Sequence, residues 1–88
     1  VDIDWEFPGG NGQPYNTVNA TADKHNFTLL MQEFRAQLDA QGAADGKHYV
    51  LSAAIGAGKD KIDQTEPAVY SQYMDWVNVM TYDLYGAW

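Results

Sequence analysis

Apolar and acidic residues alternate at the start of the chain, with Val1, Ile3, Trp5 and Phe7 interleaved with Asp2, Asp4 and Glu6. A period of two is the mark of a β-strand, so Val1 to Trp5 is predicted as a strand that runs into a turn at Pro8-Gly9-Gly10. Polar and turn-forming residues continue to about Ala22. From Phe27 the period changes: Phe27, Leu30, Met31, Phe34 and Leu38 fall on one face of a helix, with Thr21 or Asp23 as its cap and Gly42 as its stop. Tyr49 to Ile55 is a second, mainly apolar run between Gly46 and Gly56-Ala57-Gly58, the pattern of a buried strand. A shorter helix is predicted from Glu66 to Met74. Trp76 to Tyr82, rich in Val and aromatics, is the third strand and leads into Asp83. Trp76 itself is expected in the core.

The order strand, helix, strand, helix, strand implies an α/β fold with parallel strands joined by right-handed crossovers. A doubly wound sheet and part of a (β/α)₈ barrel both satisfy it. The acids Glu6 and Asp83 at the ends of the first and third strands favour the barrel, where catalytic groups gather at the C-terminal strand ends.

Composition changes the picture in one respect. The 88 residues are 45% hydrophobic and 14% aromatic, as in a folded protein. A chain of that length nevertheless buries only about 60–65% of its unfolded surface and usually needs disulfides or a structural metal. There is no cysteine, and His25 and His48 lack paired ligand spacing. The chain also starts at Val1, inside a predicted strand. Residues 1–88 are therefore expected to be part of a single larger domain, incomplete at both ends. The net charge of −7, from twelve acids against five bases, argues against nucleic-acid or anionic-membrane partners and leaves neutral polymers open. No stretch approaches the roughly 20 apolar residues of a membrane span.

The candidate chemistry lies in the first strand. Alternation puts Asp2, Asp4 and Glu6 on one face, with successive carboxylates about 6.5–7 Å apart. Three ionised groups so placed repel one another, and at least one is expected to keep a proton near neutral pH and so serve as a general acid. A solvated strand face or an acidic calcium site is the competing explanation. The apolar frame of Ile3, Trp5 and Phe7 speaks against the first, and the lack of interspersed glycine against the second.

Val-Asp-Ile-Asp-Trp-Glu-Phe-Pro at residues 1–8 resembles the end of the D-G-x-D-x-D-W-E signature of family 18 glycoside hydrolases, the chitinases. Met80-Thr81-Tyr82-Asp83 resembles the M-x-Y-D segment that ends the sixth barrel strand in that family, and Lys59-Asp60-Lys61-Ile62-Asp63 is most like its bacterial members. The resemblance covers nearly the whole chain. It implies a fragment of a (β/α)₈ TIM barrel, approximately strands 4 to 6 with the intervening helices, from a secreted, extracellular enzyme that hydrolyses β-1,4 links between N-acetylglucosamine units in chitin or chito-oligosaccharides.

The same resemblance implies the roles. Glu6 would protonate the glycosidic oxygen, Asp4 would turn toward it and hold the substrate's N-acetyl group, and Asp2 would tune the charge and proton of Asp4. The N-acetyl oxygen, rather than a protein carboxylate, would attack the anomeric carbon with retention of configuration. Tyr82 would hydrogen-bond the acetamide, while Phe7, Met80, Asp83 and Trp88 would line the substrate pocket. No metal or cofactor is required by such a mechanism. An endo-β-N-acetylglucosaminidase acting on N-glycans shares the acid motif. A non-catalytic chitin-binding lectin would usually lack the carboxyl of Glu6 or Asp4, and both are present.

Aromatic rings suit sugar faces, so Tyr15 and Tyr85 join Trp88 as stacking candidates, with loop packing as the plainer account. Gly56-Ala57-Gly58-Lys59 lacks the earlier glycine and the following Ser/Thr of a phosphate loop. Asn19-Ala20-Thr21 and Asn26-Phe27-Thr28 match the glycosylation pattern, which is short enough to arise by chance.

Overall fold

The computed structural model describes residues 1–10 and 12–84, the side chain of Asp83 excepted. Three strands, β1 (Asp2–Ile3), β2 (Ser52–Gly56) and β3 (Trp76–Met80), form a parallel sheet in the order β1-β2-β3. Asp2 pairs with Ser52 and Ser52 with Trp76, so the three strands run toward the same end of the sheet.

The long helix α1 (Ala22–Asp45) supplies the other layer. Phe27 and Met31 on α1 pack with Leu51, Ala53 and Tyr70 in one buried cluster, against which Ile3, Trp5, Phe34, Leu38 and Ile55 rest. The Phe27 ring meets Tyr70 edge-on at 5.0 Å and Trp5 at 6.0 Å. Burying each large side chain stabilises the fold by about 1.5–3 kcal/mol, enough for one helix face to choose which side of the sheet is dry.

The helix passes through Gly42, the expected stop. An added Cβ there would lie 2.2 Å from the Lys47 carbonyl oxygen, so the glycine makes room for the returning chain. The terminus is Gly46, at φ +68°, where the Lys47 amide donates to the Gly42 carbonyl in a Schellman closure. Neither Thr21 nor Asp23 caps the N-terminus with its side chain. Asn19 does so, its Oδ1 accepting from the amides of Thr21 and Ala22 at 3.1 and 3.0 Å.

Between β2 and β3 the chain makes two short helices, α2 (Lys59–Ile62) and α3 (Pro67–Tyr70), and a 3₁₀ turn at Ser71–Tyr73. The sequence predicted one continuous helix here and missed α2, because a four-residue turn leaves no helical period. Pro67 opens α3, where its missing amide costs nothing. Tyr82–Leu84 is a further 3₁₀ turn rather than the end of β3. Trp76 is 52% exposed, contrary to the core position expected for it, because it shares the sheet face of Asp2 and Ser52, away from α1.

The N-terminal ends of β2 and β3 are tied together by Asp75. Its carboxylate accepts from the Leu51 amide at 2.8 Å and from Arg35 Nη1 at 3.1 Å, and lies 2.7 Å from His48 Nε2. Arg35 reaches on to the Tyr49 carbonyl, at 2.7 Å. These contacts, the Leu51 amide first and His48 next, hold the Asp75 carboxyl below its ordinary value of 3.8. Glu66 is likewise held below its ordinary value of 4.5 by Thr28 and His25. A carboxyl whose pKa falls on folding contributes stability above its unfolded value and loses it as pH drops through the folded value. The melting temperature of the full-length protein is therefore expected to fall as pH is lowered from about 5 toward 3. Asp75→Asn should lower the melting temperature at pH 7 and flatten that acid decline, as scanning calorimetry across the pH range would show.

Candidate active site

The alternation at the start of the chain survives in three dimensions. Ile3 and Trp5 are half-buried and Phe7 is buried on the helix side, while Asp2, Asp4 and Glu6 are exposed. Among the described residues no three His, Asp or Glu side chains are gathered closely enough to share one metal ion. Asp2 is held most firmly: the Ser52 hydroxyl donates to its Oδ1 at 2.8 Å.

Glu6 follows Asp2 by four residues, as Gly56 follows Ser52 and Met80 follows Trp76, so the three segments leave the sheet at one end. Met80 is half-buried opposite Gly56, and Tyr82, 79% exposed, opens the 3₁₀ turn beyond it. Asp83 lies in that turn. Trp88 and Tyr85 lie outside the described residues. Tyr15 is 83% exposed on the loop after β1.

That loop, residues 7–21, is shaped by polar contacts that sequence reasoning missed. Asp23, nearly buried, accepts from the amides of Gly9 and Asn19, each at 3.0 Å, closing the loop across the start of α1. Asn16 Nδ2 donates to the Glu6 carbonyl at 3.3 Å. Gly12 passes so close that an added Cβ would stand 2.0 Å from the Glu6 carbonyl oxygen. The peptide between Glu6 and Phe7 is cis.

Phe7 faces the helix side, where it lines a pocket with Trp5, Phe27, Ile55 and Lys61. The Lys61 ammonium stands 4.9 Å from the centre of its ring, a cation–π contact worth about 0.5–2 kcal/mol. The Lys61 stem lies across Gly56, where a Cβ would fall 2.3 Å from Lys61 Cδ. The backbone of β2 and the residue after Glu6 are thus clamped by one side chain. Its signal in the sequence was the Gly56-to-Lys61 spacing, which has no meaning until the turn of α2 brings the lysine back.

The sequence profile of the glycosyl hydrolases family 18 matches residues 1–88. The chain belongs to that family. It is 50% identical over its whole length to Chitinase A of Pseudoalteromonas piscicida and 47% identical to Chitinase A1 of Niallia circulans. It superimposes with a TM-score of 0.92, at 48% identity, on Chitinase ChiA74 from Bacillus thuringiensis, and all of the chain is covered. The chain spans 11%, 12% and 14% of the length of these three relatives.

Within this family 18 segment, Asp23 is the residue on which the loop after Glu6 depends. Each hydrogen bond to its carboxylate is worth about 1.5–3 kcal/mol. Asp23→Ala is expected to raise the hydrogen-exchange rates of the Gly9 and Asn19 amides well above those of the β2 amides in the full-length protein. Unchanged protection at both positions would show that the loop is held by other contacts.

Proposed function

We propose that the chain is part of a single (β/α)₈ catalytic domain, contributing approximately barrel strands 4 to 6, of a secreted chitinase that cleaves β-1,4 links between N-acetylglucosamine units. The observation that carries the proposal is the line of exposed acids, Asp2, Asp4 and Glu6, on a strand whose opposite face is packed into the core. A charged group is expensive to desolvate, so the helix takes the apolar face and the acids are left toward the substrate side. Membership of family 18 and relatives named as chitinases support the choice of chitin and chito-oligosaccharides.

In this mechanism Glu6 donates a proton to the glycosidic oxygen as the bond to the anomeric carbon breaks. The substrate's own N-acetyl oxygen attacks that carbon from the opposite face, and water later opens the resulting ring with retention. Asp4 holds the acetamide and stabilises its developing positive charge, Asp2 sets the charge of Asp4, and Tyr82 hydrogen-bonds the acetamide oxygen. Met80, Asp83 and Trp88 line the sugar pocket, while Phe7, buried on the helix side, backs the acid rather than touching the sugar. Both Asp4 and Glu6 are retained, which favours catalysis over a binding lectin.

In the full-length enzyme Glu6→Gln is expected to reduce chitin-oligomer hydrolysis by at least roughly 10²- to 10⁴-fold while oligomer binding persists, because the amide keeps the shape without a proton to give. Turnover within tenfold of the parent would remove Glu6 from the role. Proton NMR during hydrolysis should show the β-anomer released first, and an oligomer with a free amine at the cleaved unit should resist cleavage. Release of the α-anomer, or comparable cleavage of the deacetylated unit, would replace the N-acetyl nucleophile by a different mechanism.

A further inference from the structure

We infer that Ser52 is a positioning residue for catalysis, acting through Asp2. The inference rests on the role proposed above for the acid triad. Ser52 is 4% exposed, although it lies on the sheet face opposite α1. Its amide is bonded to the Val1 carbonyl at 2.9 Å, and its neighbour Leu51 is tied through its own amide to Asp75. The backbone carrying the hydroxyl is therefore fixed from both sides before the side chain makes any contact.

From that position Ser52 Oγ donates to Asp2 Oδ1 at 2.8 Å. Parallel register makes the contact obligatory, since Asp2 and Ser52 are directly paired and their side chains rise on the same face. The bond occupies one carboxylate oxygen and leaves the other to deal with Asp4, the next residue on that face. Ser52 thus holds Asp2 in one orientation, the one from which it meets Asp4 in the proposed mechanism. Trp76 flanks Ser52 on β3 and carries no acceptor to compete for the hydroxyl proton.

The test compares Ser52→Ala, Ser52→Thr, Asp2→Asn, the Asp2→Asn/Ser52→Ala double variant and Glu6→Gln in the full-length enzyme, with a chito-oligosaccharide as substrate. Ser52→Ala is expected to lower kcat by roughly 10- to 100-fold, the size of one hydrogen bond to a charged group, with KM within twofold. Ser52→Thr keeps the hydroxyl and should restore kcat, again with KM unchanged. In the Asp2→Asn background, Ser52→Ala should cost less than threefold more, the mark of two residues acting as a unit. A Ser52→Ala enzyme with the parent's kcat, or a Ser52→Thr variant as impaired as the alanine, would overturn the inference while leaving Glu6 as the acid. Full activity in Glu6→Gln would instead overturn the functional proposal, and this inference with it.

Discussion

Everything at the acid end of this chain depends on the contact between one face of α1 and one face of the sheet. Phe27 and Met31 pack with Leu51, Ala53 and Tyr70, and Ile3 and Trp5 rest against that cluster. Because a strand alternates with a period of two, drying the side of Ile3 and Trp5 commits Asp2, Asp4 and Glu6 to the other side. The competing arrangement would bury three carboxylates, and the desolvation of even one unpaired charge exceeds the gain from burying one or two apolar side chains.

The two ends of the sheet handle acidic groups in opposite ways. At the N-terminal ends of β2 and β3, Asp75 is saturated by the Leu51 amide, Arg35 and His48, and so serves the fold. Near the C-terminal end of β1, Glu6 and Asp4 are exposed, and among the described residues no cationic side chain pairs with either. Between these extremes lies Asp2, which has one donor in Ser52. The acids thus pass from paired to exposed in the direction in which the parallel strands run.

The loop after Glu6 is built from close approaches rather than from bulk. Asp23 gathers two amides, Gly12 passes under the Glu6 carbonyl, and Lys61 reaches back from α2 over Gly56 to the Phe7 ring. Gly12 meets the Glu6 carbonyl itself, Lys61 the ring of the next residue, Phe7, and Asp23 the amide of Gly9 three residues beyond the acid. The position of Glu6 is therefore set by α1 and α2 as much as by β1, which has only two paired residues of its own.

Periodicity alone determined much of this protein. The switch from period two to period 3.6 located β1 and α1, the apolar run located β2, and alternation placed the three acids on one face, because these patterns are local and their physics repeats along the chain. Fragmentary helices and caps were not legible in that way. Gly42 marks the place where the Lys47 carbonyl leaves no room for a side chain, not the end of the helix, which comes at Gly46, where the chain takes a left-handed turn. Asp23 resembled a cap by position, yet the loop folded back to it and gave it other amides to bind. Trp76 looked like core by hydrophobicity, but the register of β3 put it on the face away from α1. The pairing of Ser52 with Asp2 is of the same kind: it joins residues fifty positions apart, and only the lateral order and register of the strands could bring a hydroxyl to that carboxylate.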